Sequence, residues 1–296
     1  MKKRRTTRII LIVFGAIPLR ARRALFKGIA LLLYHFSLKH RMITLHNLMR
    51  SFPEKNIFEI KKIAKGSFRN LGIMGAEFFE AFGFTRDNIS DWVTFEGSDT
   101  YKRALARKKG LLFYSAHFGN WELGAAAFAL GYQPLYGIYR LLDNSILEDL
   151  FLAERSHTGN MLLTKGGIMG NIVDILKENK VVGIMMDQNV SWREGVFVDF
   201  FGRPACTTRR FAEIALQTGS PVLPVFIIRQ DDGRYKIVVK EAEIIRTGDY
   251  DRDVFLNTQN FTTIIEEVVR EHPDHWFWLH QRWKTKICQV RKRKAK

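Results

Sequence analysis

Cysteine is almost missing: the 296 residues hold two, Cys206 and Cys288, at no metal-ligand spacing. That excludes a disulfide framework and a cysteine-based zinc site, leaving two ordinary thiols of a reducing compartment. Proline is scarce, at seven, and there is neither a low-complexity tract nor an internal period. A solenoid or a string of linked modules is therefore excluded. No apolar run reaches the length of about 20 residues that a spanning helix needs. No Ser or Cys sits in an activated nucleophile motif, which argues against covalent nucleophilic catalysis. Acidic residues are also short, 30 against 47 basic ones, for a formal charge of +17.

With 46% hydrophobic and 26% charged residues, the chain has enough apolar material for a sizeable core. The cationic surplus calls for a polyanionic partner: nucleic acid, an anionic membrane face or a phosphorylated substrate. Lys2, Lys3, Arg4, Arg5 and Arg8 lead the chain, Arg20, Arg22 and Arg23 follow, and it closes on Arg291-Lys292-Arg293-Lys294-Ala295-Lys296. The closing run reads equally well as a solvated tail. The leading set interleaves with apolar runs at 9–18 and 24–36, and short apolar stretches flanked by arginines suit an interfacial helix. A spanning helix and a plain core helix are the alternatives. A signal peptide would also start basic and then apolar, but no small-residue cleavage site precedes the next arginines. Residues 1–50 are expected to form an N-terminal membrane-associated helical segment, and 51–296 the catalytic domain.

His46 to Pro53 reads as a break. Residues 57–81 look helical, with Ile60, Ile63, Ala64, Phe68 and Leu71 on one face. From about 110, short apolar runs alternate with helical stretches. Strands are expected at 110–115, 134–139, 161–163 and 181–186, and helices at 120–130, 144–155, 170–178 and 208–218, the last stopped by Gly219. Strands at 222–228 and 235–239 flank Asp232-Gly233, a hairpin signal. Phe261, Ile264, Ile265, Val268 and Val269 mark a helix face before Pro273. The fold class is α/β, with a mixed central sheet flanked by helices. Function in such folds collects at the carboxyl ends of strands.

The strand at 110–115 runs into Ala116-His117-Phe118-Gly119-Asn120-Trp121-Glu122. In a continuous helix, residues five apart sit about 140° apart. His117 and Glu122 meet only if the chain bends, which Gly119 permits and Asn120, a favoured N-cap, supports. A carboxylate on one imidazole nitrogen fixes the tautomer and stabilises the imidazolium, leaving the other nitrogen to take a proton from a hydroxyl. The bland alternative is a histidine closing a strand end, with Glu122 facing the helix dipole. With eight histidines in the chain, the bare spacing does not decide between them.

His117-Phe118-Gly119-Asn120-Trp121-Glu122 resembles the H-x4-D/E motif of glycerolipid and lysophospholipid acyltransferases. It is closest to the branch holding the late lauroyl and myristoyl transferases of lipid A biosynthesis and the mannoside acyltransferases. Further blocks resemble that branch in order: Asn47-Leu48 with Phe52-Pro53, Tyr139-Arg140 with Asp143-Asn144, Gly183 through Asp187-Gln188, Phe200 through Ala205 with Thr207, and Pro221 through Phe226. Pro273, Trp276, Trp278, His280, Arg282, Trp283 and Lys284 resemble its closing block. Arg210, where a small residue is usual, and Gln281 depart from the pattern.

The resemblance implies an O-acyltransferase with His117 as general base and Glu122 as its partner, and no metal or cofactor beyond an acyl carrier protein thioester as donor. The acceptor it implies is a hydroxyl of a lipid A precursor of the Kdo-lipid IVA type, at the cytoplasmic face of the bacterial inner membrane. A mannosylated phosphatidylinositol or a lysophospholipid is the alternative acceptor. A non-catalytic membrane or nucleic-acid binder is the rival class, and the lack of an aromatic–basic nucleic-acid motif speaks against it. Arg140, Asp187, Gln188, Asn120, Arg203 and Thr207 are expected to line the substrate site. Acyl carrier protein, an anionic membrane and the lipid precursor are the expected partners.

Overall fold

The computed structural model of the protein describes residues 2–139, 141–164 and 168–287. Arg140 and Cys288 lie outside them. Three helices open the chain, α1 (Lys2–Gly15), α2 (Leu19–Phe36) and α3 (Leu38–Ser51), followed by the long α4 (Ile57–Glu77). The core elements then run β1 (Val93–Glu96), α5 (Ser98–Leu105), β2 (Leu111–Ser115), α6 (Trp121–Gly131), β3 (Leu135–Tyr139), α7 (Ser145–His157), β4 (Met161–Thr164), α8 (Ile168–Lys177) and β5 (Val181–Met185). Next come β6 (Gly195–Asp199), β7 (Pro204–Thr208), α9 (Arg210–Thr218), β8 (Val222–Arg229), β9 (Tyr235–Val239) and α10 (Tyr250–Glu271).

Among the described residues the strands form a seven-stranded sheet ordered β1-β9-β8-β2-β5-β3-β4, with β6 and β7 as a separate antiparallel pair. Within the large sheet only β8 and β9 run antiparallel. The Asp232-Gly233 turn joins them, and Gly233 takes a positive φ of 85° there. Strand β2 sits near the middle, so both its faces are buried. Leu112 and Tyr114 enter the core under α9 and α10, and Leu111 and Phe113 the core beside α6. Burying each leucine and the phenylalanine is worth about 1.5–3 kcal/mol, which makes the register of β2 firm.

The expected break near Pro53 falls later than its first residues: α3 continues to Ser51, and the chain turns at Phe52 before Asn56 caps α4 with a reciprocal Glu59 bond. The first three helices pack on the rest of the chain through buried polar groups. Arg22 is fully buried, donating to the Phe14 and Ile17 carbonyls of the α1 end and to Ala76 of α4, and pairing with Glu80. Arg23 pairs with buried Glu77 at 2.6 Å. Asn47 of α3 donates to the Trp278 and His280 carbonyls. Among the described residues, no helix is long and apolar enough to cross a membrane.

Candidate active site

Strands β2 and β5 are parallel neighbours with Ser115 opposite Met185. Two residues beyond each strand end, His117 and Asp187 therefore stand side by side. The Asp187 carboxylate receives the His117 ring Nδ1 at 2.8 Å, the His117 backbone N–H at 2.9 Å and the Trp276 indole N–H at 2.8 Å. Burial pushes its pKa up, but the His117 charge and these hydrogen bonds outweigh that and bring it down to about 2. An ionised carboxylate only accepts, so Nδ1 carries the imidazole proton and Nε2 presents its lone pair. The Gln188 amide nitrogen lies 3.3 Å from Nε2, the place a substrate hydroxyl would take. For His117, burial lowers the pKa, yet Asp187 by charge and hydrogen bond, helped by Glu122, raises it overall.

The sequence motif folds as a turn. Gly119 has φ +61°, and a Cβ there would come within 2.0 Å of the Ile227 carbonyl oxygen, so glycine is required. Asn120 caps α6 through Leu123 N–H, as expected. Its side chain also donates to Glu77 at 2.8 Å and is buried, so it braces the turn from behind. The closing segment holds the other side: Phe277 N–H donates to His117 O, and Gly119 N–H to His275 O, both at 2.9 Å.

Glu122 does not sit on the imidazole. Its carboxylate is forked by Arg155 of α7, Nε at 2.9 Å and Nη2 at 2.6 Å, and accepts from the Trp121 indole at 3.1 Å. Glu122 thus reaches His117 through charge, and the imidazole's carboxylate partner is Asp187. The reason is local: α6 starts at Trp121, so Glu122 projects from its first turn toward α7, away from the β2–β5 edge. The Arg155 guanidinium lies over the Tyr139 and Phe151 rings, 4.5 and 5.3 Å from their centres.

Other expected site residues separate. Gln188 lines a cavity of about 1070 Å³ together with His117, Trp121, Glu122 and Arg155. Arg203 stacks on Trp283, 4.1 Å from the ring centre, and Thr207 is buried against Arg282; neither lines that cavity. Arg140 lies outside the described residues. Arg282 is buried and donates to the Cys206 and Gln188 carbonyls at 2.9 and 3.4 Å, so it sets the Gln188 loop from below. Among the described residues no His, Cys, Asp and Glu cluster is arranged to hold a metal.

Arg155 and Glu154 carry no motif, and their roles were not readable from the sequence. Glu154 is buried, and its Oε2 has no hydrogen-bond partner. Burial first, then the Glu122 charge, against the pull of Arg155, push its pKa from 4.5 up to about 8. The folded protein keeps this proton between those values while an unfolded chain has released it, so stability falls as pH rises through that window. Glu154→Gln removes the penalty. We expect it to be more stable than wild type by a few kcal/mol at the alkaline end of the window and little changed at the acid end, measured by denaturant melts across the range.

The chain is also similar to known proteins. The family model described as bacterial lipid A biosynthesis acyltransferase matches residues 6–285. The lipid A biosynthesis lauroyltransferase of Escherichia coli K12 is 27% identical over 261 residues, 88% of this chain and 84% of the relative. The palmitoleoyltransferase of the same strain is 26% identical over 254 residues, 85% and 81%. A phosphatidylinositol mannoside acyltransferase of Mycobacterium tuberculosis H37Rv is 26% identical over 200 residues, 66% and 61%.

Proposed function

The chain belongs to the family of bacterial lipid A biosynthesis acyltransferases and is an acyltransferase, and from that premise we propose that it moves a fatty acyl chain from an acyl carrier protein thioester to a hydroxyl of a lipid A precursor. The observation that carries this reading is the His117 imidazole, fixed through Nδ1 by Asp187, with Nε2 at the wall of a large, largely apolar cavity. Nε2 takes the proton of the acceptor hydroxyl as oxygen attacks the thioester carbon, the C–S bond breaks, and the imidazolium formed is stabilised by Asp187 and returns the proton to the leaving thiolate. Glu122 supports the positive charge at a distance and anchors Arg155.

The acceptor reading is supported by the two Escherichia coli relatives, which match over more than four fifths of their length, whereas the mannoside enzyme matches over 61%. Residence at the cytoplasmic face of the inner membrane is supported by exposed Ile12, Val13, Leu32, Phe36 and Leu38 on α1 to α3, beside a chain bearing +17. The same charge favours encounter with acidic acyl carrier protein and phosphorylated lipid.

The test is transfer from acyl carrier protein thioesters to a tetra-acylated, Kdo-bearing precursor in detergent, read by mass spectrometry. Wild type should add one acyl chain, and His117→Ala should lose at least about 10²–10⁴-fold in rate. A wild type that acylates mannosylated inositol lipid or lysophospholipid instead would move the acceptor. Full activity in His117→Ala would remove the general base.

A further inference from the structure

Two glycines lie side by side on neighbouring interior strands of the sheet, β5 and β3. Gly183 of β5 pairs with Phe113 of β2 on one side and with Gly137 of β3 on the other, and Gly137 pairs with Leu162 of β4. Paired residues share a face. The face is the α6 side, because Phe113 packs edge-on against Phe128 of α6 at 4.7 Å between ring centres. Strands stand about 4.8 Å apart, so the pair leaves a bare strip two strands wide under α6.

Glycine inside a strand weakens it and needs a reason. Backbone conformation is not the reason, since neither residue has a positive φ. Crowding is not the reason either. A Cβ on Gly183 would meet only the Leu135 Cδ1, at 3.4 Å, and one on Gly137 nothing closer than 3.8 Å. What the absent side chains leave is space, and both glycines line the cavity that holds His117. One level nearer the strand ends lie Ser115 and Met185, about 7 Å closer to the imidazole. One level deeper is Leu135, which lines the cavity, and beside it on β5 its pair Val181, fully buried, which does not.

The same cavity also reaches the opposite face of the sheet, beside Tyr114, Ile172, Phe211 and Ile214. The Tyr114 hydroxyl there is buried without a hydrogen-bond partner. A hydrocarbon laid on it would leave that hydroxyl unsatisfied, so this arm suits an apolar chain less well than the glycine strip.

We propose that the Gly137–Gly183 strip is the bed of the donor acyl chain and that these two positions determine the chain length accepted, with Leu135 as the stop. This rests on the acyl-transfer reading above. The chain enters past His117, lies across the two glycines under α6, and ends at Leu135.

The test compares wild type with Gly183→Val, Gly183→Ala, Gly137→Val and, on the other face, Ile214→Phe. Donors run from octanoyl to palmitoyl acyl carrier protein. Each is read twice: as kcat/KM for transfer, and as thermal stabilisation by the donor alone. Val at either glycine should cut kcat/KM for the longest wild-type donor about tenfold or more, keep or raise it for shorter donors, and shift the stabilisation series the same way. Gly183→Ala should do so more weakly. Because β-branched residues favour strands, the apo melting temperature should hold or rise, which separates a filled furrow from a damaged fold. Ile214→Phe should leave the length profile unchanged. An equal loss for all donors, an unchanged profile in a stable Gly183→Val protein, or a shift produced by Ile214→Phe instead would overturn the proposal. If the shift occurs in donor binding while no lipid A precursor is acylated, the length inference stands and the acceptor reading fails.

Discussion

Asp187→Asn is expected to lower kcat by about 10³–10⁴-fold with little change in KM. The argument is one of hydrogen-bond direction. In the wild type Oδ2 accepts from the His117 backbone and the Trp276 indole, and Oδ1 accepts from the imidazole. The single oxygen of asparagine is claimed by the two N–H donors whose positions are set by backbone and ring packing. Its amide nitrogen then faces Nδ1 and can only donate, so the imidazole proton moves to Nε2. A histidine protonated on Nε2 has no lone pair toward the acceptor hydroxyl. The change should be visible as a switched tautomer in nitrogen NMR of the imidazole. It should also move the titration: with the Asp187 charge gone, burial prevails and the His117 pKa falls, so the acid limb of any residual rate shifts to lower pH. Glu122→Gln should leave the tautomer as in wild type. If it instead reproduced the tautomer switch and the full rate loss, Glu122 and not Asp187 would be the imidazole's partner.

Much of the framework was legible because it depends on local pattern. Strands β2, β5 and β8 are short apolar runs, as a strand buried on both faces must be. The α9 end is marked by Gly219 at φ +62°, and the β8–β9 turn by Gly233. Strand β1 was not legible. It is four residues long at a sheet edge, and its partner β9 is some 140 positions later, so nothing nearby signals it. The β6–β7 pair was hidden for another reason: its turn residues, Phe200 to Arg203, read as a motif block, and its strands are short.

The site divides along the same line. His117, Asp187 and Gln188 could each be placed at a strand exit, because strand ends are local features. Which exits are neighbours depends on strand order, and that is set by how β2, β5 and β8 pack together. The same limit applies to Arg155, which lies 33 residues from Glu122 on a helix of ordinary composition. Trp276 was readable as part of the closing block; its indole proton on Asp187 becomes visible only when that segment is laid against the β2 turn. The carboxylate five residues after a histidine suggests direct contact, yet a helix that starts at Trp121 turns that carboxylate toward a cation elsewhere.

Arg155→Ala is expected to cost about 3–5 kcal/mol of stability, a fall in melting temperature of about 6–15 °C for a chain of this size. Glu122 and Glu154 are both buried beside the guanidinium. Without it, the buried Glu122 carboxylate has lost both ends of its fork, while Glu154, which keeps its proton, loses little. Arg155→Lys should recover part of this at most, because an ammonium cannot match two carboxylate oxygens at once or stack on Tyr139 as a planar guanidinium does. The double variant Glu122→Gln/Arg155→Met removes cation and anion together. A neutral pair of similar volume avoids the desolvation penalty, so it should melt within a few degrees of wild type. Its activity should differ all the same. Glu122 raises the His117 pKa more than Arg155 lowers it, so losing both moves the acid limb of kcat to lower pH while the imidazole keeps its Asp187 bond. A double variant as unstable as Arg155→Ala would mean that the fork is not what holds α6 to α7. One with wild-type stability and an unmoved pH profile would mean that Glu122 contributes to the fold and nothing to the base.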